Sequence, residues 1–184
     1  MNKTALVPIA DGSEEIESVT IIDVLRRANV EVTVASVHEH KTITASRRTR
    51  ITADALLQDC VDHDYDLIAL PGGMPGARHL SDCALLIDRL RKQRDAGFWY
   101  AAICAAPAVA LAPHGLLDGV AATGHAGFRE ALPDQSRVDE RVVVDRNCIT
   151  SQGPGSALEF ALELVARVCG EDVRDQVAAP MMLP

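Results

Sequence analysis

Residues 98–112 read Phe-Trp-Tyr-Ala-Ala-Ile-Cys-Ala-Ala-Pro-Ala-Val-Ala-Leu-Ala, with Cys104 at the join of two different patterns. The part before Cys104 is short and apolar, which is typical of a buried strand, and the part after it is rich in small residues, which indicates a helix. Pro107 falls in the first helical turn, where its missing N–H would have had no partner. The stretch therefore predicts a core strand that turns into a helix at Cys104.

Cys104 would stand at the amino end of this predicted helix. Unpaired N–H groups and the positive end of the helix dipole favour a thiolate there, and the thiolate is the reactive form of cysteine. A free cysteine is also a small apolar side chain that often serves packing alone. The segment by itself leaves both interpretations open, a reactive thiol and a structural one.

Strand and helix patterns alternate along the rest of the chain. Short apolar runs and two-residue alternation predict strands, whereas apolar positions on a 3.6-residue period predict helices. Strands are predicted at residues 4–9, 30–34, 66–70, 141–145 and 147–151, with a hairpin within residues 38–53. Helices are predicted from a turn and cap at residues 11–13 to residue 28, and at residues 80–97, 128–132 and 157–168.

This alternation predicts a mostly parallel sheet covered by helices on both faces, a flavodoxin-like three-layer sandwich. The 184 residues suit one domain over residues 1–184, since neither a linker nor a repeat divides them. In such folds ligands bind beyond the carboxyl ends of the strands. Cys104, Gly72-Gly73 and Asp11-Gly12 all follow predicted strands, so we expect them to meet at one edge of the sheet.

Charge and hydropathy exclude several classes of protein. The formal net charge is -8 and no long basic run is present, which argues against a nucleic-acid surface. The first residues lack a signal peptide, and no apolar run approaches the ~18 residues of a membrane span. We therefore expect a soluble cytoplasmic protein.

The cysteines give no sign of a disulfide framework or of structural zinc. There are five, widely and irregularly spaced, without a Cys-x-x-Cys pair, so we expect reduced thiols. His38 and His40 are the nearest approach to a metal-binding pair, but no third ligand lies near them in the sequence. A solvated turn is the favoured interpretation of that pair.

Gly72-Gly73 and Glu17 are candidates for a site around Cys104. Two glycines after a strand let backbone N–H groups approach a reacting atom and form an oxyanion hole, although an ordinary turn has the same sequence. Glu17 shares the apolar helix stripe of Ile21 and Val24, where a carboxyl must find a partner or stay protonated. Facing Cys104, it would stabilise a thiolate or shuttle protons; the alternative is a glutamate that reaches solvent.

Other polar residues are weaker candidates. His125 lies in a flexible stretch that would have to fold over a site, and an exposed loop histidine is the commoner case. Arg27 and Arg47 are possible anion clamps, although isolated arginines are usually surface charges. Ser156 is interpreted as a helix cap.

Five motifs in order resemble those of the ThiJ/PfpI superfamily, in particular its branch containing Parkinson disease protein 7 and YajL. The resemblance covers nearly the whole chain, including residues 176–180. The motifs occupy residues 6–17, 23–28, 70–73, 102–107 and 150–155.

The resemblance implies a homodimer of flavodoxin-like subunits with Cys104 in a strained elbow and Glu17 as the buried acid. It implies backbone oxyanion donors at Gly72, Gly73 and Ala105, a site histidine at His125, and basic residues bordering the pocket near the dimer interface at Arg27 and Arg47. Members are described as acting on glyoxal and methylglyoxal, or on their early adducts with proteins and nucleotides, without metal or organic cofactor. They are also described as oxidation sensors and stress chaperones.

The chain departs from the family pattern at several positions. Ala105 stands where the intracellular protease branch has histidine, which disfavours peptidase activity. Ala126-Gly127 replaces a frequent proline after the site histidine, so we expect a looser loop around His125. Ala45 and Thr52 stand where the branch can carry further oxidisable cysteines, which concentrates a redox response on Cys104.

The sequence thus supports two functional hypotheses. In the first, the chain is a glyoxalase or deglycase in which Cys104 attacks an aldehyde carbon while Glu17, assisted by His125, transfers a proton. In the second, it is an oxidative-stress sensor or redox-regulated chaperone in which Cys104 stops at the sulfinic acid. A plain structural role would require Glu17 to face solvent and Cys104 to have an ordinary pKa.

Overall fold

A seven-stranded sheet forms the middle layer of the computed structural model, which describes residues 3–183. The strand order is β5-β2-β1-β6-β7-β9-β8, and every neighbouring pair is parallel except β8 and β9. The strands of this sheet are β1 (Thr4–Ile9), β2 (Glu31–Ser36), β5 (Ala55–Leu56), β6 (Leu67–Leu70), β7 (Trp99–Ile103), β8 (Val142–Asp145) and β9 (Cys148–Ser151). A separate hairpin pairs β3 (Thr42–Thr44) with β4 (Arg50–Thr52).

Helices cover both faces of the sheet. The connection from β1 to β2 and that from β6 to β7 run in opposite directions across the sheet, so the right-handed crossover rule puts their helices on opposite faces. The helices are α1 (Glu15–Arg27), α2 (Gly76–Asp82), α3 (Ala84–Asp95), α4 (Ala157–Cys169) and α5 (Glu171–Ala178). The predicted flavodoxin-like sandwich with a mostly parallel sheet is confirmed.

The central strands are buried because their residues are apolar on both faces. Every residue of β6 and β9 is buried, as is every residue of β7 after Trp99. Parallel strands buried on both sides need such continuous apolar runs, and this explains the sequence around residue 100. The carboxyl ends of β1, β6, β7 and β9 lie at the same edge of the sheet, and the residues that follow them build the site described below.

Two helical predictions were wrong in detail. The single helix predicted at residues 80–97 is two helices, α2 and α3, separated at Cys83, whose extended backbone interrupts the helical turn. The segment after Cys104 is a π-helix, Pro107–Leu111, followed by a 3-10 turn, Ala112–His114. The Ala112 N–H donates to the Pro107 carbonyl five residues earlier, which is the hydrogen-bond spacing of a π-helix.

The predicted caps also differ from the structure. Glu14, not Asp11-Gly12-Ser13, caps α1, since its Oε2 accepts the Glu17 N–H at 2.8 Å. Ser156 precedes α4, but its hydroxyl bonds Ser151 Oγ at 2.7 Å and makes no cap bond to α4. Helix α5 and the short strand β5 were not predicted, because neither carries a long periodic pattern. Within residues 3–183, no helix is long and apolar enough to cross a membrane.

Candidate active site

Cys104 forms a sharp elbow between β7 and the π-helix. Its φ is +65°, a left-handed backbone conformation that is uncommon for a residue with a side chain. Both of its backbone groups are tied down: its N–H donates to Ser151 O at 3.0 Å and its carbonyl accepts the His125 N–H at 2.8 Å. These bonds hold the strained elbow and leave the side chain 8% exposed.

Gly72 and Gly73 allow the loop after β6 to approach this elbow. A Cβ on Gly72 would lie 2.6 Å from the Cys104 Cβ and 2.7 Å from the Ile103 carbonyl oxygen, so only glycine fits. Gly73 has φ +84°, which glycine adopts without strain. The backbone N–H groups of Gly73 and Ala105 act on the Cys104 sulfur and oppose the rise of its pKa.

The Gly72 N–H has a different partner from the predicted one. It donates to Glu17 Oε2 at 2.8 Å, inside the protein. Of the three backbone donors predicted for an oxyanion, this one is therefore already occupied by the buried acid. Gly73 and Ala105 remain as the donors that face the sulfur.

Glu17 is fully buried at 0% exposure on the inner face of α1. Its Oε2 accepts the Gly72 N–H, whereas its Oε1 has no hydrogen-bond partner among the described residues. Burial raises the pKa of Glu17 to about 7 and the charge of Glu14 adds to the rise, while the Gly72 N–H and the neighbouring Cys104 thiol oppose it. The carboxyl is therefore available to gain or lose a proton near neutral pH.

Cys104 and Glu17 titrate as a coupled pair. Burial and the neighbouring Glu17 carboxylate raise the pKa of Cys104 to about 12. The predicted low-pKa thiolate at a helix end is therefore corrected: the helical segment is short, and desolvation outweighs its N–H groups. Because the two groups are buried side by side, ionisation of either one disfavours ionisation of the other, and both pKa values are raised. When one proton is left on the pair, the sulfur is a thiolate if that proton lies on Glu17.

His125 and the Cys104 sulfur both lie close to Gly153. A Cβ on Gly153 would be 4.0 Å from Cys104 Sγ and 3.8 Å from His125 Cδ2. The imidazole is exposed, and its Nδ1 accepts the Gly127 N–H at 3.1 Å. In the neutral ring the proton therefore lies on Nε2, which is a hydrogen-bond donor. The loop that carries His125, whose position the sequence did not decide, folds back onto the Cys104 elbow.

The two predicted arginines are not brought to the sulfur by this single chain. Arg27 lies in the last turn of α1, about 15 Å along the helix from Glu17, and pairs with Asp23 at 2.6 Å. Arg47 lies in the turn between β3 and β4, where its backbone N–H binds the Glu15 carboxylate at 2.9 Å. Both side chains are largely exposed, and their role stays a prediction.

A groove that the sequence did not indicate adjoins the elbow. It measures ≈ 230 Å³ and is lined by His125, Arg129, Arg141 and the residues from Gln152 to Ser156. The two arginines come from segments that look like ordinary loop and strand-edge sequence, so no local pattern marked them. The only available signal was the Gly-Pro-Gly stretch directly after the carboxyl end of β9.

Across residues 3–183, no three histidine, cysteine, aspartate or glutamate side chains form a group that could hold a metal ion. His38 and His40 stack with their rings 5.3 Å apart, and His38 Nε2 accepts the Asp11 N–H at 3.0 Å. The pair therefore braces the loop after β1, which is a structural use of these rings. The five cysteines are free thiols.

The fold and the site define a flavodoxin-like α/β protein with a cysteine at a strand-to-helix elbow facing a buried acid. The sequence profile of the DJ-1/PfpI family matches residues 3–167, and the chain belongs to this family. It is 48% identical over 167 residues to protein DJ-1 homolog B of Arabidopsis thaliana, covering 91% of this chain but only 38% of that protein. The chain thus spans well under half the length of this plant relative.

Two animal relatives and one solved structure match over nearly their whole length. The Parkinson disease protein 7 homolog of Danio rerio is 40% identical, covering 98% of this chain and 97% of that protein. A Caenorhabditis elegans protein named glutathione-independent glyoxalase DJR-1.2 is 33% identical, covering 98% and 97%. The structure of oxidized DJ-1 from Toxoplasma gondii superposes with a TM-score of 0.95 at 43% identity, covering 98% of each chain.

Proposed function

We propose that this chain is a cysteine-dependent, cofactor-free stress-response enzyme of the glyoxalase or deglycase type. Its substrates would be glyoxal and methylglyoxal, or their early adducts with proteins and nucleotides. The observation that carries the proposal is the unpartnered Oε1 of Glu17, a buried carboxyl oxygen in the acid that neighbours Cys104. The name of the Caenorhabditis elegans relative supports the same chemistry.

In the proposed reaction Cys104 is the nucleophile and Glu17 carries the proton. With the shared proton on Glu17, the thiolate attacks the aldehyde carbon of methylglyoxal and forms an S–C bond. The Gly73 and Ala105 N–H groups, which point at the sulfur, stabilise the developing oxyanion. Glu17 then protonates this oxygen, which gives a hemithioacetal.

The remaining steps move two protons and add one water. The Glu17 carboxylate removes the hydrogen from the former aldehyde carbon and returns a proton to the neighbouring carbon, while the hydroxyl proton passes from the oxygen of the first carbon to the oxygen of the second. The hemithioacetal thereby becomes a thioester. Water, aided by His125, cleaves the S–C bond, releases lactate and restores the thiol. Methylglyoxal and water thus become lactic acid, and glyoxal becomes glycolic acid, without an external oxidant or reductant.

Lactate formation by the purified protein, free of other glyoxalases, tests this proposal. Cys104→Ser and Glu17→Gln are expected to abolish it, because the first removes the nucleophile and the second the proton carrier. Cys83→Ser, which changes a half-buried thiol at the break between α2 and α3, is the matched control and should keep full activity. Lactate formation that persists in Cys104→Ser would rule out the mechanism.

A second candidate function is an oxidative-stress sensor or redox-regulated chaperone acting through Cys104. Glu17 Oε1 and the Gly73 and Ala105 N–H groups supply hydrogen bonds that oxygens on an oxidised sulfur need. Mild peroxide is then expected to add two oxygens to the peptide that contains Cys104. Intact mass of the unmodified protein and of Glu17→Gln gives the number of oxygens added, and peptide mass assigns them to a cysteine. An equal gain of oxygen by the Cys83 and Cys104 peptides contradicts the proposal.

We also propose that the chain works as a homodimer in the cytoplasm. Ile16 and Val19 on α1 are 56% and 50% exposed, and Val19 borders a groove of ≈ 320 Å³ together with Ile22 and Ile51. A second copy covering this face would bring its Arg27 and Arg47 toward a pocket at the interface, as the family resemblance implies. Sedimentation of the unmodified protein and Val19→Glu tests the dimer; a monomer at micromolar concentration would refute it.

A further inference from the structure

We propose that the groove beside Cys104 is a second subsite, in which Arg141 and Arg129 bind a carboxylate of the substrate. The inference rests on the proposed function, because it assigns the part of the substrate that lies beyond the reacting carbonyl. The groove is lined by His125, Arg129 and Arg141, together with residues 152–156.

The groove lies next to Cys104, on the other side of Gly153. Gly153 lines it, and the missing Cβ of Gly153 would lie 4.0 Å from Cys104 Sγ and 3.8 Å from His125 Cδ2. Because Gly153 carries no side chain, nothing from this residue separates the sulfur from the groove. A group attached to the carbon that Cys104 attacks can therefore extend past Gly153.

The groove is larger than a bare dicarbonyl requires. Methylglyoxal has five non-hydrogen atoms, and at about 30 Å³ each, the share of a water molecule, they fill at most about 150 Å³. The groove measures ≈ 230 Å³ and lies beyond the sulfur, so it adds to the space around the reacting carbon. The groove therefore leaves room for a further group carried by the dicarbonyl, as in an adduct.

The two arginines are fixed in place but keep unused donors. Arg141 donates from Nε to Glu159 at 2.8 Å and from Nη2 to Gly155 O at 2.6 Å. Arg129 donates from Nε to Gly124 O and from Nη1 to Asp139. Among the described residues, Arg141 Nη1 and Arg129 Nη2 make no hydrogen bond. A guanidinium held in this way loses little freedom when it binds a carboxylate.

The charge in the groove favours a carboxylate over a phosphate. Glu159 and Asp139 balance the charges of Arg141 and Arg129, so a doubly charged phosphate gains no excess of positive charge. A carboxylate needs only two N–H donors and carries one charge, and the neutral ring of His125 offers its Nε2–H as a further donor. The substrate class is therefore a dicarbonyl adduct that bears a carboxylate, such as an amino-acid or peptide terminus adduct.

Alkylation of Cys104 by a matched pair of reagents tests the subsite without requiring turnover. N-iodoacetylglycine carries a carboxylate, and N-iodoacetylglycinamide replaces it with a neutral amide of the same size. In both, the sulfur displaces iodide and forms one S–C bond, while the thiol proton goes to solvent. The rate of each reagent at the Cys104 peptide is measured by mass spectrometry at pH 7.5, and the carboxylate-to-amide ratio is the readout.

Arg141→Gln is expected to lower this ratio about tenfold, since a charge-assisted hydrogen bond contributes about 1.5 kcal/mol. Arg167→Gln is the matched control: Arg167 also pairs with a glutamate, Glu163, but lies on α4 outside the groove. Glu159→Gln keeps Arg141 and removes its counter-charge, so the ratio should rise. This variant tests the inference even if Arg141→Gln folds poorly.

A ratio that is unchanged in both Arg141→Gln and Glu159→Gln overturns the inference, as does an equal fall in Arg167→Gln. Failure of the proposed enzyme activity is a separate result. A protein that forms no lactate yet prefers the carboxylate reagent through Arg141 upholds the subsite and rejects the enzyme. A protein that forms lactate but shows no arginine-dependent preference for the carboxylate reagent upholds the enzyme and rejects the subsite.

Discussion

Glu17→Gln is predicted to make the protein's stability less dependent on pH. Folding buries the Glu17 carboxyl completely and raises its pKa from 4.5 to about 7, chiefly by desolvation. Glutamine has almost the same shape and can still accept the Gly72 N–H, but it does not ionise. The variant therefore removes the charge while it keeps the packing and one hydrogen bond.

The size of the effect follows from these pKa values. Between pH 4.5 and about 7 the folded protein holds a proton on Glu17 that the unfolded chain has lost. The stabilisation is therefore fully present below pH 4.5 and is lost as the pH rises through about 7. At about 1.4 kcal/mol per pH unit, the free energy of unfolding falls by roughly 3 kcal/mol over this window.

Urea unfolding followed by circular dichroism, at several pH values from 5 to 8.5, measures this difference. The comparison is best made in a Cys104→Ser background, where the carboxyl titrates without the coupled thiol. Relative to its parent, Glu17→Gln should gain roughly 2.5 kcal/mol between the two ends of the range, since part of the effect has already developed at pH 5. Glu31→Gln, which changes an exposed carboxylate on β2, is the control and should follow the parent.

A constant difference between Glu17→Gln and its parent across this pH range would refute the reasoning. It would mean that the carboxyl has the same pKa in the folded and unfolded chains. The proton would then not be shared with Cys104 near neutral pH, and the proposed proton transfer would lose its physical basis.

Three further predictions concern the surroundings of the site. Gly72→Ala should destabilise the protein by about 1–3 kcal/mol, because the new Cβ would lie 2.7 Å from the Ile103 carbonyl oxygen at the elbow. Gly155→Ala is the control, since its Cβ would meet nothing within 4 Å. Thermal unfolding compares the two variants, and equal melting temperatures would contradict the clash. Burial lowers the pKa of His38, and the neighbouring His79 and His40 add to this while Asp11 opposes it, so the free energy of unfolding should fall as the pH drops below 6.5. His38→Gln should lose less stability over the same range. Urea midpoints at pH 7.5 and 5.5 test this, and equal losses in both proteins refute it. Burial would raise the pKa of Glu15, but hydrogen bonds from Ser46, the Glu15 backbone, Arg47 and Thr49 outweigh it and lower the pKa to about 2, so the stabilisation is present above pH 4.5 and lost toward pH 2. In urea unfolding, Glu15→Gln should be less stable than its parent at pH 7 and similar to it at pH 2. A stability difference that stays the same in acid would count against this.

Most of the fold followed from patterns that are local in the sequence. The apolar run before Cys104 predicted β7, and the stripe shared by Glu17 and Ile21 correctly indicated the buried face of α1. The order of strands and helices then left the parallel sandwich as the natural arrangement. Boundaries failed where a single residue decides them, as at Cys83, whose extended backbone splits one predicted helix in two.

The sequence predicted which residues lie together in the candidate site, but not which of them hydrogen-bond to each other. Cys104, Glu17, Gly73 and His125 do meet at the carboxyl edge of the sheet, because parallel strands bring their following loops to one edge. The partner of the Gly72 N–H lies 55 residues away in the chain, and no periodic pattern reports a contact of that kind. The groove arginines were missed for the same reason.

The sequence by itself determined that Cys104 ends a buried strand and that Glu17 faces the core, since both depend on local periodicity. Only the tertiary structure decided the state of these groups. Desolvation sums over every neighbour around an atom, and it raises the pKa of both Glu17 and Cys104 rather than producing the independent thiolate that the helix end predicted. The residue that looked reactive on its own is, in the folded chain, half of a pair that shares a proton.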